Sequence, residues 1–150
     1  MSNENCSFMK ILESTINIDV RFSETDAMGV VWHGNYLKYF EDGRESFGIK
    51  YGVEYLDIYK EGFFTPIVKS EINHKSTINY GEKILVKVIL EKHYAAKIIF
   101  RYEVLNLTTN KIAAIGSTTQ IFMNVQDRTL ELIKPEFYEN WENNQNWKEA

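Results

Sequence analysis

The chain has 150 residues, 44% of them hydrophobic, 25% charged and 14% aromatic, with eight glycines and two prolines. At this length a single domain, residues 1–150, is expected, and its apolar content excludes a disordered chain. A net charge of −4 excludes a general nucleic-acid binder, which carries a basic patch. A single cysteine, Cys6, excludes an internal disulfide and any multi-thiolate metal site. No run approaches the ~18 apolar residues of a membrane span. The opening MSNENCSFMK lacks the basic start and apolar core of a secretory signal, so a cytoplasmic protein is expected.

From Ile16 to Phe22 apolar and polar residues alternate, the period of a half-buried strand, with Ile16, Ile18, Val20 and Phe22 on one side. The glycine-containing stretch SETDAMGVVWHGN reads as a loop. A helix is expected from Asn35, which can cap it. Tyr36, Tyr39, Phe40 and Phe47 form its apolar stripe. Gly43 and Gly48 lower its helix propensity but permit close packing. A short second helix is expected from about Glu54 to Glu61. Beyond Gly62 the period becomes two: Phe64–Ser76, Ile84–Lys92, Lys97–Leu105 and Ile112–Met123 read as strands, each with one apolar face. The short links Tyr94–Ala96 and Thr108–Asn110 imply antiparallel hairpins. Phe137, Tyr138 and Trp141 after Pro135 recur at helical spacing, so a C-terminal helical tail over about residues 135–147 is expected. The fold class is therefore α+β. One sheet cannot cover so aromatic a helix and also protect its own edges, which points to a homo-oligomer.

The stretch most informative about chemistry runs from Arg21 to Arg44. Asp26 lies in the loop after the first strand, Gly29 allows a tight turn, and His33-Gly34-Asn35 leads into the helix. A carboxylate is thus set beside unpaired backbone N–H groups and the positive end of a helix dipole. Those groups can polarise an acyl carbonyl, while the carboxylate attacks it or activates water. From spacing alone, a Thr-Asp pair before a turn is more often a structural Asx-turn than a catalytic acid. No G-x-S-x-G nucleophile motif is present.

The run E-T-D-A-M-G-V-V-W-H-G-N-Y-L-x-Y-F-E-x-x-R resembles the hotdog-fold acyl-CoA thioesterases of the 4-hydroxybenzoyl-CoA thioesterase type. Within them it is most similar to the bacterial branch associated with the Tol–Pal gene cluster. The family pattern D-x-x-G-x-V-x-[HY]-x-x-Y falls on Asp26, Gly29, Val31, His33 and Tyr36, and a second match is T-P-I-V at Thr65–Val68. The likeness spans roughly residues 14–125. It implies a hotdog fold, a long antiparallel sheet wrapped around a central helix, in chains that commonly assemble as a dimer of dimers. It implies hydrolysis of an acyl-CoA thioester with Asp26 as nucleophile or general base, and with the His33 backbone N–H polarising the carbonyl. It places Thr65 at the acyl end of the site, at a subunit interface. Nucleotide contacts fall near the Tyr94–Ala96 hairpin, where Lys97 is the candidate among Lys92, Lys97 and Arg101.

The expected site is therefore Asp26 and His33 as catalytic residues, with Gly29, Trp32, Asn35, Tyr36, Thr65 and Lys97 around the substrate. Several side chains keep two readings. His33 either shuttles a proton or serves through its backbone alone. Glu24 is a second acid or pairs with Arg21. Trp32 walls the site or packs. Glu41 and Arg44, three apart on a helix, are read as a structural pair. His74 and His93, placed on strands, have no partner at ligand spacing, so neither a metal nor a cofactor is expected. Two rival functions remain: an aryl-CoA thioesterase acting on 4-hydroxybenzoyl- or 1,4-dihydroxy-2-naphthoyl-type thioesters, and a non-catalytic acyl-binding or scaffold protein. A hotdog dehydratase fits less well, because its proline-rich signature is absent.

Overall fold

The computed structural model describes residues 9–150; Cys6 lies outside the described residues. Strand β1 (Lys10–Asp19) is followed by a loop, then helices α1 (Tyr36–Tyr51) and α2 (Tyr55–Lys60). Strands β2 (Phe63–Phe64), β3 (Ile67–His74), β4 (Lys83–Glu91), β5 (Lys97–Asn106), β6 (Lys111–Ile121) and β7 (Met123–Asn124) follow, then α3 (Glu136–Asn143) and β8 (Lys148–Glu149). The main sheet is antiparallel in the order β3-β6-β5-β4-β1-β8, with a separate β2–β7 pair. The α+β expectation holds, and both expected hairpins close where the short links lie.

Alternation decides which side of the sheet is dry. Ile84, Val86, Val88 and Leu90 of β4 face inward with Ile98, Phe100, Tyr102 and Val104 of β5, all buried. Register aligns Ser14, Val88, Tyr102 and Gly116 in one row across four strands. Helix α1 presses on this row: the Phe40 ring stacks on Tyr102 with centroids 4.2 Å apart. A Cβ added at Gly116 would lie 2.6 Å from the Phe40 ring, and one added at Gly43 would lie 2.5 Å from Val88 Cγ2. Small residues on both elements thus let helix and sheet approach.

That contact sets a test. Gly43→Ala improves helix propensity by about 1 kcal/mol, but it drives a methyl group into Val88 and Val86, which are buried, β-branched and stiff. Overpacking of this kind costs about 1–3 kcal/mol. The substitution is therefore expected to lower the midpoint of chemical denaturation; an unchanged or raised midpoint would show that the helix has room to shift.

The structure corrects four expectations. Strand β1 begins six residues before Ile16 and ends at Asp19, and Phe22 lies in a 3-10 turn, 75% exposed, with its ring edge-on to Tyr80. Asn35 does hold the N-cap position of α1, which starts at Tyr36, but its side chain makes no cap bond; its backbone is already helical and closes the 3-10 turn His33–Asn35. The expected strand Phe64–Ser76 is broken at Thr65-Pro66, where proline offers no ladder N–H. Its second part, β3, has no buried residue and forms an open edge, so it lacks the dry face expected of every strand.

The C-terminal segment forms the expected helix and also an unexpected strand. Helix α3 packs Tyr138 beside Phe122, and the Trp141 indole N–H donates to the Tyr51 carbonyl at the end of α1 (2.8 Å). Strand β8 then pairs with Lys10 and Ile11, covering the start of β1.

Candidate functional site

Residues 25–31 fold back as a narrow loop. Thr25 pairs with Val31, the Asp26 N–H donates to the Val30 carbonyl (2.8 Å) and the Gly29 N–H donates to the Asp26 carbonyl (3.0 Å). Gly29 has φ +76°, which a side chain would strain, so its place is the turn itself. The Asp26 Oδ1 accepts the Met28 N–H (2.8 Å). This is an Asx-turn, so the structural reading of Asp26 holds. It does not exclude the chemical one, because Oδ2 has no hydrogen-bond donor among the described residues. The loop is braced from outside: Val31 N–H donates to the Ile78 carbonyl (2.7 Å), and Tyr80 N–H to that of Gly29 (3.1 Å).

The helix start is clamped to the same loop through Glu24. Its carbonyl accepts the Trp32 N–H (2.9 Å) and the Asn35 Nδ2–H (2.8 Å). Asn35 is buried, and its side chain holds this scaffold. The Glu24 carboxylate accepts the Arg21 backbone N–H (2.7 Å); no Glu24–Arg21 ion pair forms among the described residues. Past this clamp, the N–H groups of His33 and Gly34 find no acceptor among the described residues, as the first donors of a helical segment must. Trp32 is half-exposed, its ring 4.9 Å from that of His33 and lying over Gly34. Tyr36 is buried, edge-on to His74 (4.8 Å), and burial pushes its phenol up. The neighbouring Tyr39 hydroxyl is buried without a partner; burial, then the Glu24 charge, holds it protonated.

Thr65 lies elsewhere. It lines a cavity of about 480 Å³ between α1, α2 and the inner face of the sheet, walled by Phe47, Leu90, Ile98, Phe100 and Tyr138. Gln120 Nε2 donates to the Thr65 carbonyl (2.7 Å) and hydroxyl (3.1 Å). None of the residues from Asp26 to Tyr36 lines this cavity. Within one chain, then, the Asp26 loop and the helix start are tied together by backbone bonds, whereas Thr65 belongs to a separate hollow.

Arg44, also in the cavity wall, departs from its expected pairing with Glu41. Its Nη1 donates to the Tyr102 hydroxyl (3.0 Å), and that oxygen is 2.6 Å from Thr118 Oγ1. Burial pushes the Tyr102 phenol up, Arg44 opposing, so it remains a hydroxyl. Gln120, Tyr102 and Thr118 went unmarked in sequence because strand alternation alone accounts for them.

Lys97 is exposed at the start of β5. Of the three cations near that hairpin, Arg101 is paired with Glu91, and Lys92 lies 5.5 Å over the Trp147 ring. Lys97 has neither partner among the described residues. His93 lies in the turn after β4, not on a strand, 3.1 Å from Glu91 Oε2. No cluster of three metal-ligating side chains occurs among the described residues, and no described helix is long and apolar enough to cross a membrane.

Comparison with known proteins now bears on this geometry. The sequence profile of the thioesterase-like superfamily matches residues 20–141. The chain belongs to that superfamily. The match spans the loop, both first helices, the cavity and most of α3. The structure superposes on DHNA-CoA thioesterase from Staphylococcus aureus with a TM-score of 0.78 and 32% identity, covering 87% of each chain. It also superposes on 4-hydroxybenzoyl CoA thioesterase from Pseudomonas, with a TM-score of 0.74 over 86% of this chain and 98% of that one. At 19% identity that likeness speaks for the fold alone, which is the hotdog fold. YneP of Bacillus subtilis, named as a candidate acyl-CoA thioesterase, is 37% identical over 89 residues. That alignment takes in 59% of this chain and 64% of YneP, just under two thirds of its length.

Proposed function

We propose that the chain hydrolyses an acyl-CoA thioester to the free acid and coenzyme A, with Asp26 acting on the thioester. The observation that carries this reading is the Asp26 loop. One carboxylate oxygen is fixed by the Met28 N–H and the other has no donor among the described residues, on a segment whose His33 and Gly34 N–H groups also find no acceptor among them. As nucleophile, Asp26 attacks the carbonyl carbon, the C–S bond breaks, and the thiolate leaves to take up a proton; water then cleaves the mixed anhydride. As general base, Asp26 instead removes a proton from the water that attacks. In both routes the developing oxyanion is met by the N–H of His33. The imidazole itself is not required.

The separation of Thr65 from Asp26 favours an assembly in which one copy's cavity meets another copy's loop. The open edge of β3, with Ile67 and Val68 exposed, and the exposed Met28, Trp32 and Leu37 beside Asp26 supply apolar surface for it. We read the protein as a single-domain, cytoplasmic homo-oligomer, a dimer of dimers, with Lys97 meeting the phosphates of coenzyme A. Placement in the Tol–Pal-associated branch rests on the E-T-D-A-M-G-V-V-W-H-G-N-Y-L run alone. The aryl-CoA reading has its own support: Phe47, Phe100 and Tyr138 give the cavity aromatic walls, and the Staphylococcus aureus relative is named for DHNA-CoA.

Free-thiol release from short, medium, long-chain and aromatic acyl-CoA thioesters tests both readings. Turnover of one class names the substrate. Binding of acyl-CoA without any thiol release would leave a carrier or scaffold in place of an enzyme.

A further inference from the structure

The cavity walls are mostly apolar, yet they contain one guanidinium. Arg44 is half-buried, spends Nη1 on the Tyr102 hydroxyl, and has no carboxylate within ion-pair distance among the described residues. Its remaining N–H groups have no acceptor among the described residues either. Tyr102 and Thr118, both buried, fix it from behind: the Tyr102 oxygen accepts from Arg44 and is hydrogen-bonded to the Thr118 hydroxyl. An apolar ligand that covered this half-buried cation would strip water from its unused donors without replacing the hydrogen bonds, so a ligand oxygen that takes them up is favoured. Glu41, Glu45 and Glu54 also line the cavity, so its wall carries three acidic groups against one basic group. A ligand carboxylate would meet net repulsion there, whereas a neutral hydroxyl can accept from Arg44 without it.

We propose that Arg44 is a specificity-determining residue that selects acyl groups carrying a neutral oxygen at their distal end over plain hydrocarbon and over a terminal carboxylate. This rests on the thioesterase reading and on the cavity as the acyl pocket. The test compares kcat/KM for octanoyl-CoA, ω-hydroxyoctanoyl-CoA and octanedioyl-CoA in the wild type, Arg44→Met and Tyr102→Phe. If only aryl thioesters turn over, phenylacetyl-CoA, its para-hydroxy analogue and its para-carboxy analogue replace them.

The wild type is expected to prefer the hydroxylated thioester by about tenfold or more, the worth of one hydrogen bond to a charged donor. The carboxylate-bearing thioester should be the poorest of the three. Arg44→Met keeps the stem that covers the apolar wall and is expected to bring the hydroxyl-to-hydrocarbon ratio near one. Tyr102→Phe loosens the guanidinium and should lower the ratio in part. Three results overturn the proposal while the thioesterase reading stands: equal wild-type rates on the first two thioesters, a preference for the carboxylate, or loss of both substrates in equal proportion in Arg44→Met. Absence of hydrolysis with every thioester overturns the thioesterase reading and this inference with it.

Discussion

Asp26→Asn is expected to lower kcat/KM for thioester hydrolysis by about a hundredfold to ten-thousandfold, the usual worth of a positioned acid–base group. The loop geometry makes the substitution clean. Asparagine retains an oxygen that can accept the Met28 N–H, and it leaves the Asp26 backbone bonds to Val30 and Gly29 untouched. The turn should therefore persist, with Gly29 still at φ +76°. Only the charge and its lone-pair basicity are lost. Asp26→Ala would remove the Asx-turn as well, so its loss of activity would mix chemistry with loop disorder. The measurement is thiol release by the two proteins side by side, with circular dichroism and the denaturation midpoint confirming that the variant is folded. Turnover that survives within about threefold would reassign the acid. Glu24, whose carboxylate accepts one N–H from Arg21 as that of Asp26 does from Met28, and the His33 imidazole, exposed beside Trp32, would be tested next.

Sequence periodicity revealed the core because the inner residues of β4 and β5 fall at every second position, from Ile84 to Leu90 and from Ile98 to Val104, with Ile89 the one outward residue that is also buried. It misplaced β1 because Lys10–Thr15 does not alternate simply: the neighbours Ile11 and Leu12 are both buried. No local pattern can announce a strand whose edge is paired with residues 137 and 139 positions later. The same limit applies to Arg44. A carboxylate three residues earlier in the same helix predicts a pair, but the guanidinium instead crosses to Tyr102, which lies 58 residues away. Asp26, Gly29 and His33 could be picked out because turn chemistry is local: an Asx acceptor, a positive φ and a helix start fall within eight residues. What they do together with Thr65 was not readable, since that depends on which surface of a second copy faces the loop.

Glu142→Ala is expected to destabilise the protein by about 3–5 kcal/mol, because it strands a buried cation. Lys134 and Glu142 are almost fully buried, at 7% and 4% side-chain exposure, with Nζ 2.7 Å from Oε1. Lys134 also donates to the His93 carbonyl and lies 5.9 Å over the Tyr138 ring. Without the carboxylate, the ammonium would keep one carbonyl and one aromatic face, too little to replace its lost hydration. The Glu142 carbonyl meanwhile accepts the Trp147 indole N–H (2.7 Å), so the turn into β8 hangs on the same residue. The double replacement Lys134→Met with Glu142→Leu should recover most of the loss, since apolar groups of similar volume carry no desolvation cost. Chemical denaturation of the wild type, the single variant and the double variant measures this directly. A single-variant loss under about 1 kcal/mol would mean that Lys134 reaches water once unpaired, and that the tail is loosely held. The outcome matters for function because Tyr138, on the same helix, forms one wall of the cavity. If the ion pair secures α3, Glu142→Ala should also blunt discrimination among acyl chains at temperatures where the protein remains folded, while Asp26 and the helix start stay intact. The tail would then act on which acyl group fits, and the loop on how fast it is cleaved.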